Sequence, residues 1–399
     1  MKKVMMVMPH MVGGGAERVA ALLVNYFSDH GLDAEFVLTA DRAGEVVRCD
    51  LKEEISLRLL REELGEETAV EKLRYFPAKI ASKIVCRVFE KLHKPVPAYW
   101  AYLSLLWQHH REIKTLRNAM LENPEMTVVS FLQPAIPVVL LAGRGLPNRI
   151  IISERCDSKR LMKKRYGKEF IKKYYPRANE AVFQTEDARD GYPEVIAQKG
   201  RVIPNPIKEN LPLPYTGERK CNITTFCRIS EQKNLMLLVD AFHMLHQDYP
   251  VYILRIIGDA PNDEGKRVVD ELTARIEQLE IKEAVHLLPF SGTVHEEILQ
   301  DCMYVNSSDY EGMSNAMLEA MAIGMPVVCT DCPIGGARAI IRDGENGLLV
   351  PVGDPEAMYR AMKRIIEDKE LARRLSVNAA ELRETLSLES IAERWMELL

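Results

Sequence analysis

The 399-residue chain lacks the features that mark several classes of protein. The uncharged stretch of residues 131–143, near its basic segments, is broken by polar and proline residues and is shorter than the ~20 apolar residues of a membrane span. The apolar start ends at Pro9, so no secretory signal is evident. The eight cysteines follow no disulfide spacing, and Cys329-x-x-Cys332 has no second pair or histidine partner. We therefore expect free thiols in a reducing cytoplasm.

Two nucleotide-binding signatures are absent and a third is incomplete. A Walker loop is absent, and so is any Asp-x-Asp sequence of the kind that chelates a metal–diphosphate complex. The glycine-rich loop Gly13-Gly14-Gly15 has Arg18 where a dinucleotide fingerprint requires a third glycine. Glu35, near the end of the second predicted strand, is the one feature that favours a site for a nicotinamide cofactor. Three glycines still allow a ligand to approach the start of a helix closely.

The composition indicates a globular protein with charge concentrated in parts of the chain. Apolar residues make up 47% and charged residues 28% of a length that suits two domains. The net charge is −5, yet residues 69–118 carry +7 and residues 155–177 carry +8. With an overall pI of about 6.1 and no recognition motif, nucleic acid is not an expected partner.

The order of apolar runs predicts an α/β architecture. A strand at 3–8, a helix at 16–30 and a strand at 34–38 form a βαβ opening, which is typical of a doubly wound parallel sheet. Other strands of this first set are predicted at 127–131, 149–153 and 181–184. The second set is predicted at 222–226, 252–257, 284–288, 303–306, 326–329 and 347–350.

Proline-rich sequence separates the two sets. Residues 203–207 and 211–215 have the composition of a linker. We predict an N-terminal domain of residues 1–206 and a second domain of residues 207–380. The remaining residues, 381–399, are predicted to form a helix that packs back on the first domain.

Two carboxylates, Glu311 and Glu319, lie eight residues apart in the second set. Ser314 is a plausible N-cap for a helix that ends near Gly324. The eight-residue separation corresponds to ~12 Å along a helix, which is too far for two carboxylates that share one bond. It suits two ends of a long ligand, with an anion at the helix N-terminus between them. A solvated loop Glu and a helix-surface Glu are the plainer interpretation.

A second cluster of charge follows the predicted strand 222–226. Arg228 and Lys233 are separated by a turn, so both could face one anion, the first as a planar fork and the second as a point charge. Taken alone, they could equally be surface cations.

These segments resemble the family 4 retaining glycosyltransferases. Residues 311–328 match that family's pattern of Glu, seven residues and Glu before Ala-Met-Ala-x-Gly-x-Pro-Val-Val, and residues 227–234 match Gly-Arg-Leu-x-x-x-Lys-Asn with Cys227 in the glycine position. Loops at 256–259 and 288–292 match less specifically. The resemblance implies a GT-B fold, with two Rossmann-like domains facing across a cleft. It also implies transfer of a hexose or N-acetylhexosamine from a nucleotide-diphosphate sugar with retention of configuration.

The resemblance further implies a role for each matching residue. Glu311, Arg228 and Lys233 are the implied catalytic residues, the cations holding the diphosphate. The implied donor-binding residues are Glu319, Gly312, Met313, Ser314, Asn315, Gly258, Phe290, Gly292, Ser308, Gly14 and Gly15. The implied acceptor-binding residues are Glu17, Arg18, Glu154 and Arg155. No cofactor and no metal are expected, and UDP is favoured over GDP.

The basic segments are relevant to the kind of acceptor that the protein uses. Lysines and arginines at 79, 83, 87, 91 and 94 alternate with apolar residues, a pattern found in helices that lie on anionic membranes and also in helices that simply pack on a domain. Together with Gly-Gly-Ala-Glu-Arg at 14–18, the pattern resembles bacterial enzymes that extend lipid-linked polysaccharide precursors. The expected acceptor is then a glycan on polyprenyl diphosphate, at the inner face of the plasma membrane.

The same residues are also compatible with other functions. A nucleotide-sugar epimerase or a phosphorylase can share the same fold. A non-catalytic module that binds a nucleotide sugar or NAD is a further alternative, although the missing third glycine counts against NAD.

Overall fold

Two all-parallel sheets organise the chain, one in each of two units. The computed structural model describes residues 2–41, 46, 48, 50–65, 77, 80–81, 83–85, 87–89, 91–92, 97–155, 157–163 and 167–399. Unit 1 comprises residues 1–204 and 391–399, and unit 2 comprises residues 205–390.

Unit 1 contains a seven-stranded sheet. Its strands are β1 (Lys3–Met8), β2 (Asp33–Leu38), β3 (Ser56–Leu59), β4 (Thr127–Phe131), β5 (Ile150–Ser153), β6 (Glu180–Phe183) and β7 (Gly200–Val202). They lie in the order β3-β2-β1-β4-β5-β6-β7, and every neighbouring pair is parallel. Strands β1 and β4 are almost entirely buried, as expected for a parallel sheet covered on both faces.

The helices of unit 1 connect these strands. They are α1 (Gly15–Asp29), α2 (Leu60–Leu64), α3 (Ala98–Gln108), α4 (His110–Glu122), α5 (Ala135–Ala142), α6 (Ser158–Lys163), α7 (Gly167–Tyr174), α8 (Glu186–Asp190) and α9 (Glu194–Ala197). Residues 80, 81, 83–85, 87–89 and 91 are helical as well. Helix α5 is buried all round because its eight residues are apolar apart from Pro137 in its first turn.

Unit 2 repeats the architecture with six strands. They are β8 (Lys220–Phe226), β9 (Ile253–Ile257), β10 (Val285–Leu288), β11 (Asp301–Asn306), β12 (Val327–Thr330) and β13 (Leu348–Val350). Their order is β10-β9-β8-β11-β12-β13, again parallel throughout. The predicted pair of doubly wound parallel sheets is therefore confirmed.

The helices that follow in the chain are α10 (Leu235–Asp248), α11 (Asp263–Gln278), α12 (Val294–Ile298), α13 (Asn315–Ala322), α14 (Pro355–Glu367), α15 (Lys369–Ala380), α16 (Leu382–Thr385) and α17 (Leu388–Met396). The chain leaves unit 2 and re-enters unit 1 within α17. At its end Trp395 is fully buried and stacks on Phe131 at 5.5 Å, and Thr127 Oγ1 donates to the carbonyl of Leu399 at 3.1 Å. These contacts attach the last residues to β4.

Candidate functional site

The strand order of unit 2 indicates one edge of its sheet as the candidate ligand site. The order reverses between β8 and β11, and in doubly wound sheets ligands bind outside the carboxyl ends of the strands at such a reversal. The loops that leave these two strands are residues 227–234 and 307–314. Arg228, Lys233 and Glu311 therefore converge on one edge, although up to 83 residues of sequence separate them.

Hydrogen bonds hold the two loops together. The Asp309 amide donates to the carbonyl of Gln232 at 3.0 Å, and Gln232 Nε2 donates to the carbonyl of Tyr310 at 2.8 Å. Asn234 Nδ2 donates to Asp309 Oδ1 at 2.7 Å. Asn234 also has a positive φ of 41° and caps α10, so its backbone turns the loop back into the helix. These hydrogen bonds thus hold the two loops in a defined position relative to each other.

The ammonium group of Lys233 is hydrogen-bonded to the Glu311 carboxylate at this edge. Each side chain is 17% exposed, and Ser308 Oγ donates to Glu311 Oε2 at 3.2 Å. Burial acts to lower the pKa of Lys233, but the charge and hydrogen bond of Glu311 outweigh it and the pKa is raised. The positive charge of the nearby, exposed Arg228 acts to lower the pKa of Lys233. The site therefore holds two cations beside one carboxylate.

Helix α13 begins directly after these groups, as the sequence predicts. Ser314 is its N-cap and accepts a hydrogen bond from the Met317 amide at 3.3 Å. Asn315 Oδ1 accepts from Asn205 Nδ2 at 2.6 Å, which anchors the loop to the predicted linker. A Cβ on Gly336 would lie 1.8 Å from the carbonyl oxygen of Gly312, so the segment that carries Gly336 packs directly against the loop.

Glu319, on α13, is buried and pairs with a histidine that sequence reasoning missed. Its Oε2 lies 2.8 Å from His295 Nε2, and the two residues are 4% and 6% exposed. The His295 ring meets the Phe226 ring edge-on at 5.5 Å, at the end of β8. Glu319 therefore belongs to the same edge of the sheet as Lys233, with one carboxylate oxygen oriented by His295.

The loops after β9 and β10 complete this edge. A Cβ on Gly258 would lie 1.8 Å from the carbonyl oxygen of Cys227, so only glycine allows the backbones to approach so closely. The Phe290 amide donates to Asp259 Oδ1 at 3.2 Å, and the Phe290 side chain is 50% exposed. A Cβ on Gly292 would have no neighbouring atom within 4 Å. All three predicted donor residues thus lie on loops that leave the carboxyl ends of strands.

In unit 1 the strand order reverses between β1 and β4, and the glycine loop follows β1. Glu17 Oε2 accepts hydrogen bonds from the amides of Val12, at 2.9 Å, and Gly14. Gly13 has a φ of +92°, which favours glycine. Glu17 therefore stabilises the loop by satisfying amides at the start of α1. Arg18 Nε lies 3.2 Å from Asp50 Oδ2.

The two other predicted acceptor residues follow β5 and are buried. Glu154 accepts hydrogen bonds from Tyr175 Oη and, at 3.4 Å, from Gln133 Nε2. Arg155 Nε donates to Ser153 Oγ at 3.0 Å, and burial lowers the pKa of Arg155 to about 9. These contacts support the strand ends, and the acceptor-binding roles of Glu154 and Arg155 stay predictions.

Two further differences from the sequence analysis concern acidic residues. Glu35 lies in the first half of β2 and not near its carboxyl end, where a ribose-binding acid belongs. Its carboxylate lies 4.0 Å from Lys3 Nζ and 3.9 Å from an Arg58 nitrogen, and burial raises its pKa. Asp41 instead lies beyond the carboxyl end of β2 and contacts His10. Both His10 and Asp41 follow predicted strands, which is the signal that could have identified them.

Among the residues that the structure describes, no group of His, Cys, Asp or Glu is arranged to hold a metal ion. None of the helices in that part of the chain is both long enough and apolar enough to cross a bilayer.

Part of the chain is similar in sequence to known glycosyltransferases. Residues 218–382, which lie within unit 2, match the family model described as glycosyl transferases group 1. The chain is 34% identical over 145 residues to an N-acetylgalactosamine-N,N'-diacetylbacillosaminyl-diphospho-undecaprenol 4-alpha-N-acetylgalactosaminyltransferase of Campylobacter jejuni, covering 36% of this chain and 37% of that protein. It is 31% identical over 173 residues to the lipopolysaccharide core biosynthesis glycosyltransferase LpsE of Rhizobium meliloti, covering 43% and 47% of the two chains. The matched stretches thus span less than half the length of these relatives.

Solved structures resemble the whole chain. HepE of Anabaena, in complex with UDP, has a TM-score of 0.75 at 17% identity and covers 100% of this chain and 99% of its own. TarM has a TM-score of 0.75 at 15% identity and covers 100% and 98%. At these identities the likeness concerns the fold, which is GT-B as predicted.

Proposed function

We propose that this chain is a retaining, metal-independent glycosyltransferase that moves a hexose or N-acetylhexosamine from a nucleotide-diphosphate sugar to a glycan acceptor. The nucleotide is UDP in preference to GDP, and the family is family 4. The observation that carries the proposal is the contact between Lys233 and Glu311 at the strand reversal of unit 2, within residues that match a glycosyltransferase family model.

The charges at this edge suit the departure of a diphosphate. As the bond between sugar and phosphate breaks, negative charge grows on the phosphate oxygens, and fixed cations stabilise that charge. Lys233 and Arg228 supply them, and the amides at the start of α13 add hydrogen-bond donors. The Glu311 carboxylate is the natural partner for sugar hydroxyls, and Glu319 for those of the ribose.

The acceptor is proposed to be carried on polyprenyl diphosphate. One relative supports this choice, since the Campylobacter protein is named for a diphospho-undecaprenol substrate. LpsE, which is named for lipopolysaccharide core biosynthesis, supports a glycan acceptor in general. A cytoplasmic position at the inner face of the plasma membrane is part of the proposal.

One surface of unit 1 supports contact with an anionic membrane. Ile80, Ile84, Val88 and Leu92 are spaced four residues apart and are 42–57% exposed. Lys83, Arg87 and Lys91 are exposed on the same segment, whereas Lys79 and Lys94 lie outside the described residues. Apolar side chains can enter the headgroup region while the cations meet anionic lipid.

Vesicle flotation tests the membrane contact. The wild type should float with vesicles that contain phosphatidylglycerol, and a variant with Ile84→Ser and Val88→Ser should remain in the dense fraction at unchanged melting temperature. The exposed Val377→Ser, in unit 2, is the matched control. Equal flotation of the first variant and the wild type would remove the membrane from the proposal.

Nucleotide release and product analysis test the transferase itself. The purified chain is incubated with UDP- and GDP-sugars, with and without lipid-linked acceptor, and with EDTA. Transfer requires acceptor-dependent release of UDP or GDP and a glycolipid of the same anomeric configuration as the donor. Sugar or epimer released from donor alone would indicate an epimerase, and sugar phosphate formed only with orthophosphate a phosphorylase. A melting shift by UDP without turnover would indicate a binding module.

A further inference from the structure

A histidine and an aspartate that the proposed reaction has not used lie together in unit 1. His10 follows β1 and Asp41 follows β2, and these neighbouring strands are parallel, so both residues lie at the carboxyl edge of the sheet. His10 Nδ1 is 2.7 Å from Asp41 Oδ1. The Asp41 side chain is 3% exposed and that of His10 is 50% exposed. The pair thus has a buried carboxylate and an accessible imidazole.

Hydrogen bonding at Asp41 determines which ring nitrogen carries the proton. Asp41 Oδ2 accepts from the Met11 amide at 2.6 Å, and an ionised carboxylate only accepts hydrogen bonds. The contact at Oδ1 therefore requires a proton on His10 Nδ1. In the neutral imidazole, Nε2 is then the acceptor. A carboxylate that orients an imidazole in this way also fixes its tautomer.

The position of the pair favours a ligand on the accessible side. His10 lies three residues before Gly13, the first residue of the glycine loop, and the order of the sheet reverses beside β1. Ligands bind at this place in doubly wound sheets. An imidazole acceptor suits a ligand that donates a hydrogen bond, as a sugar hydroxyl does and an ionised phosphate does not.

We propose that His10, oriented by Asp41, binds the sugar acceptor by accepting a hydrogen bond from one of its hydroxyl groups at Nε2. This inference rests on the proposed function and adds a residue to the acceptor side of that reaction. Asp41 acts through His10 and is a positioning residue.

Four variants test the assignment. His10→Gln retains a side-chain oxygen near the place of Nε2, whereas His10→Asn retains only a group that can reach Asp41. His10→Asn should lower kcat/KM for the acceptor about fivefold to tenfold, the loss expected for one hydrogen bond, and His10→Gln should recover most of it. Asp41→Asn should cause a similar loss, because an amide opposite Nδ1 converts Nε2 into a donor. His30→Gln, at the far end of α1, is the matched control with wild-type kinetics.

Four further measurements make the test decisive. UDP affinity and melting temperature should match the wild type in all variants, and the Asp41→Asn/His10→Asn double variant should lose no more than the worse single variant, since the two residues act as a unit. Imidazole nitrogen NMR, with His10 identified by the difference from His10→Gln, should show Nε2 unprotonated in the wild type and protonated in Asp41→Asn.

The outcomes separate this inference from the proposed function. Wild-type transfer with unchanged acceptor kcat/KM in His10→Asn overturns the role of His10 alone. Retained acceptor kcat/KM in Asp41→Asn indicates that Nε2 donates, as to a phosphate, and overturns the hydroxyl assignment. Absence of transfer in the wild type overturns the proposed function, and this inference with it.

Discussion

Lys233 and Glu311 are hydrogen-bonded to each other, yet replacing one or the other should have opposite effects on nucleotide binding. In the structure the Lys233 ammonium donates a hydrogen bond to the Glu311 carboxylate. A diphosphate must therefore compete with this carboxylate for the ammonium group. Lys233→Ala removes a charged hydrogen bond to the ligand, which contributes about 1.5–3 kcal/mol. The Kd for UDP should therefore rise about 10- to 150-fold. Glu311→Gln removes the competing carboxylate, so UDP should bind at least as tightly as to the wild type.

Sugar transfer should respond differently, because Glu311 is proposed to hold the sugar. Glu311→Gln should reduce kcat/KM by at least about tenfold, the loss of one hydrogen bond to a charged group. The assay is calorimetric titration with UDP combined with steady-state kinetics on the same preparations. Lys363→Ala is the matched control, since Lys363 lies in the same unit and pairs with Asp248 at 2.8 Å.

The pH dependence follows from the sign of the shift at Lys233. Its pKa is raised above the ordinary value of 10.5, so the ammonium stays charged through the neutral range. The difference in UDP affinity between wild type and Lys233→Ala should be constant from about pH 7 to 9 and be lost only as the pH rises through the raised pKa. Equal UDP affinity of Lys233→Ala and wild type, or a loss in Glu311→Gln as large as in Lys233→Ala, would refute the reasoning.

Three other predictions concern the same edge of unit 2 and its chemistry. Gly258→Ala should lower the melting temperature by about 2–4 °C for each kcal/mol of strain, because its Cβ would meet the Cys227 carbonyl, whereas Gly292→Ala should melt as the wild type does. His295→Ala should weaken UDP about threefold to tenfold by releasing Glu319, and should barely change the binding of 2′,3′-dideoxy-UDP; equal losses for both ligands would contradict this. EDTA should leave the transfer rate unchanged, and recovery of a lost rate by Mg²⁺ or Mn²⁺ would contradict metal independence.

The sequence predicted the sheets well because buried parallel strands are continuous apolar runs. The predicted bounds of β1 and β4 coincide with the observed ones. Strands β3 and β7 were missed because both are short edge strands, Ser-Leu-Arg-Leu and Gly-Arg-Val, whose residues are mostly half-exposed. Such strands leave no apolar run to recognise.

The contacts within the site were less predictable than its residues. Lys233 and Glu311 lie 78 positions apart, and only the strand order brings their loops together. The pairing of Glu319 with His295 depends on how the short helix α12 packs against α13, which no local pattern encodes. Glu35 was placed wrongly although its strand was predicted correctly, because the predicted strand 34–38 and β2 share the same carboxyl end, three residues beyond Glu35. Three residues of a strand span ~10 Å, which separates Glu35 from a ligand bound beyond that end.

The side chains at the two strand reversals differ in charge and in hydrogen-bonding groups. This difference supports the proposal that the two units bind different substrates. At the reversal of unit 2 the loops present two cations beside a carboxylate, a set that suits a charged diphosphate attached to a sugar. At the reversal of unit 1 the carboxylate of Glu17 accepts hydrogen bonds from loop amides, and the imidazole of His10 is half exposed. An imidazole acceptor is poorly suited to an anion and well suited to a hydroxyl. The side chains therefore support the proposals that the donor binds to unit 2 and that the acceptor hydroxyl binds to unit 1.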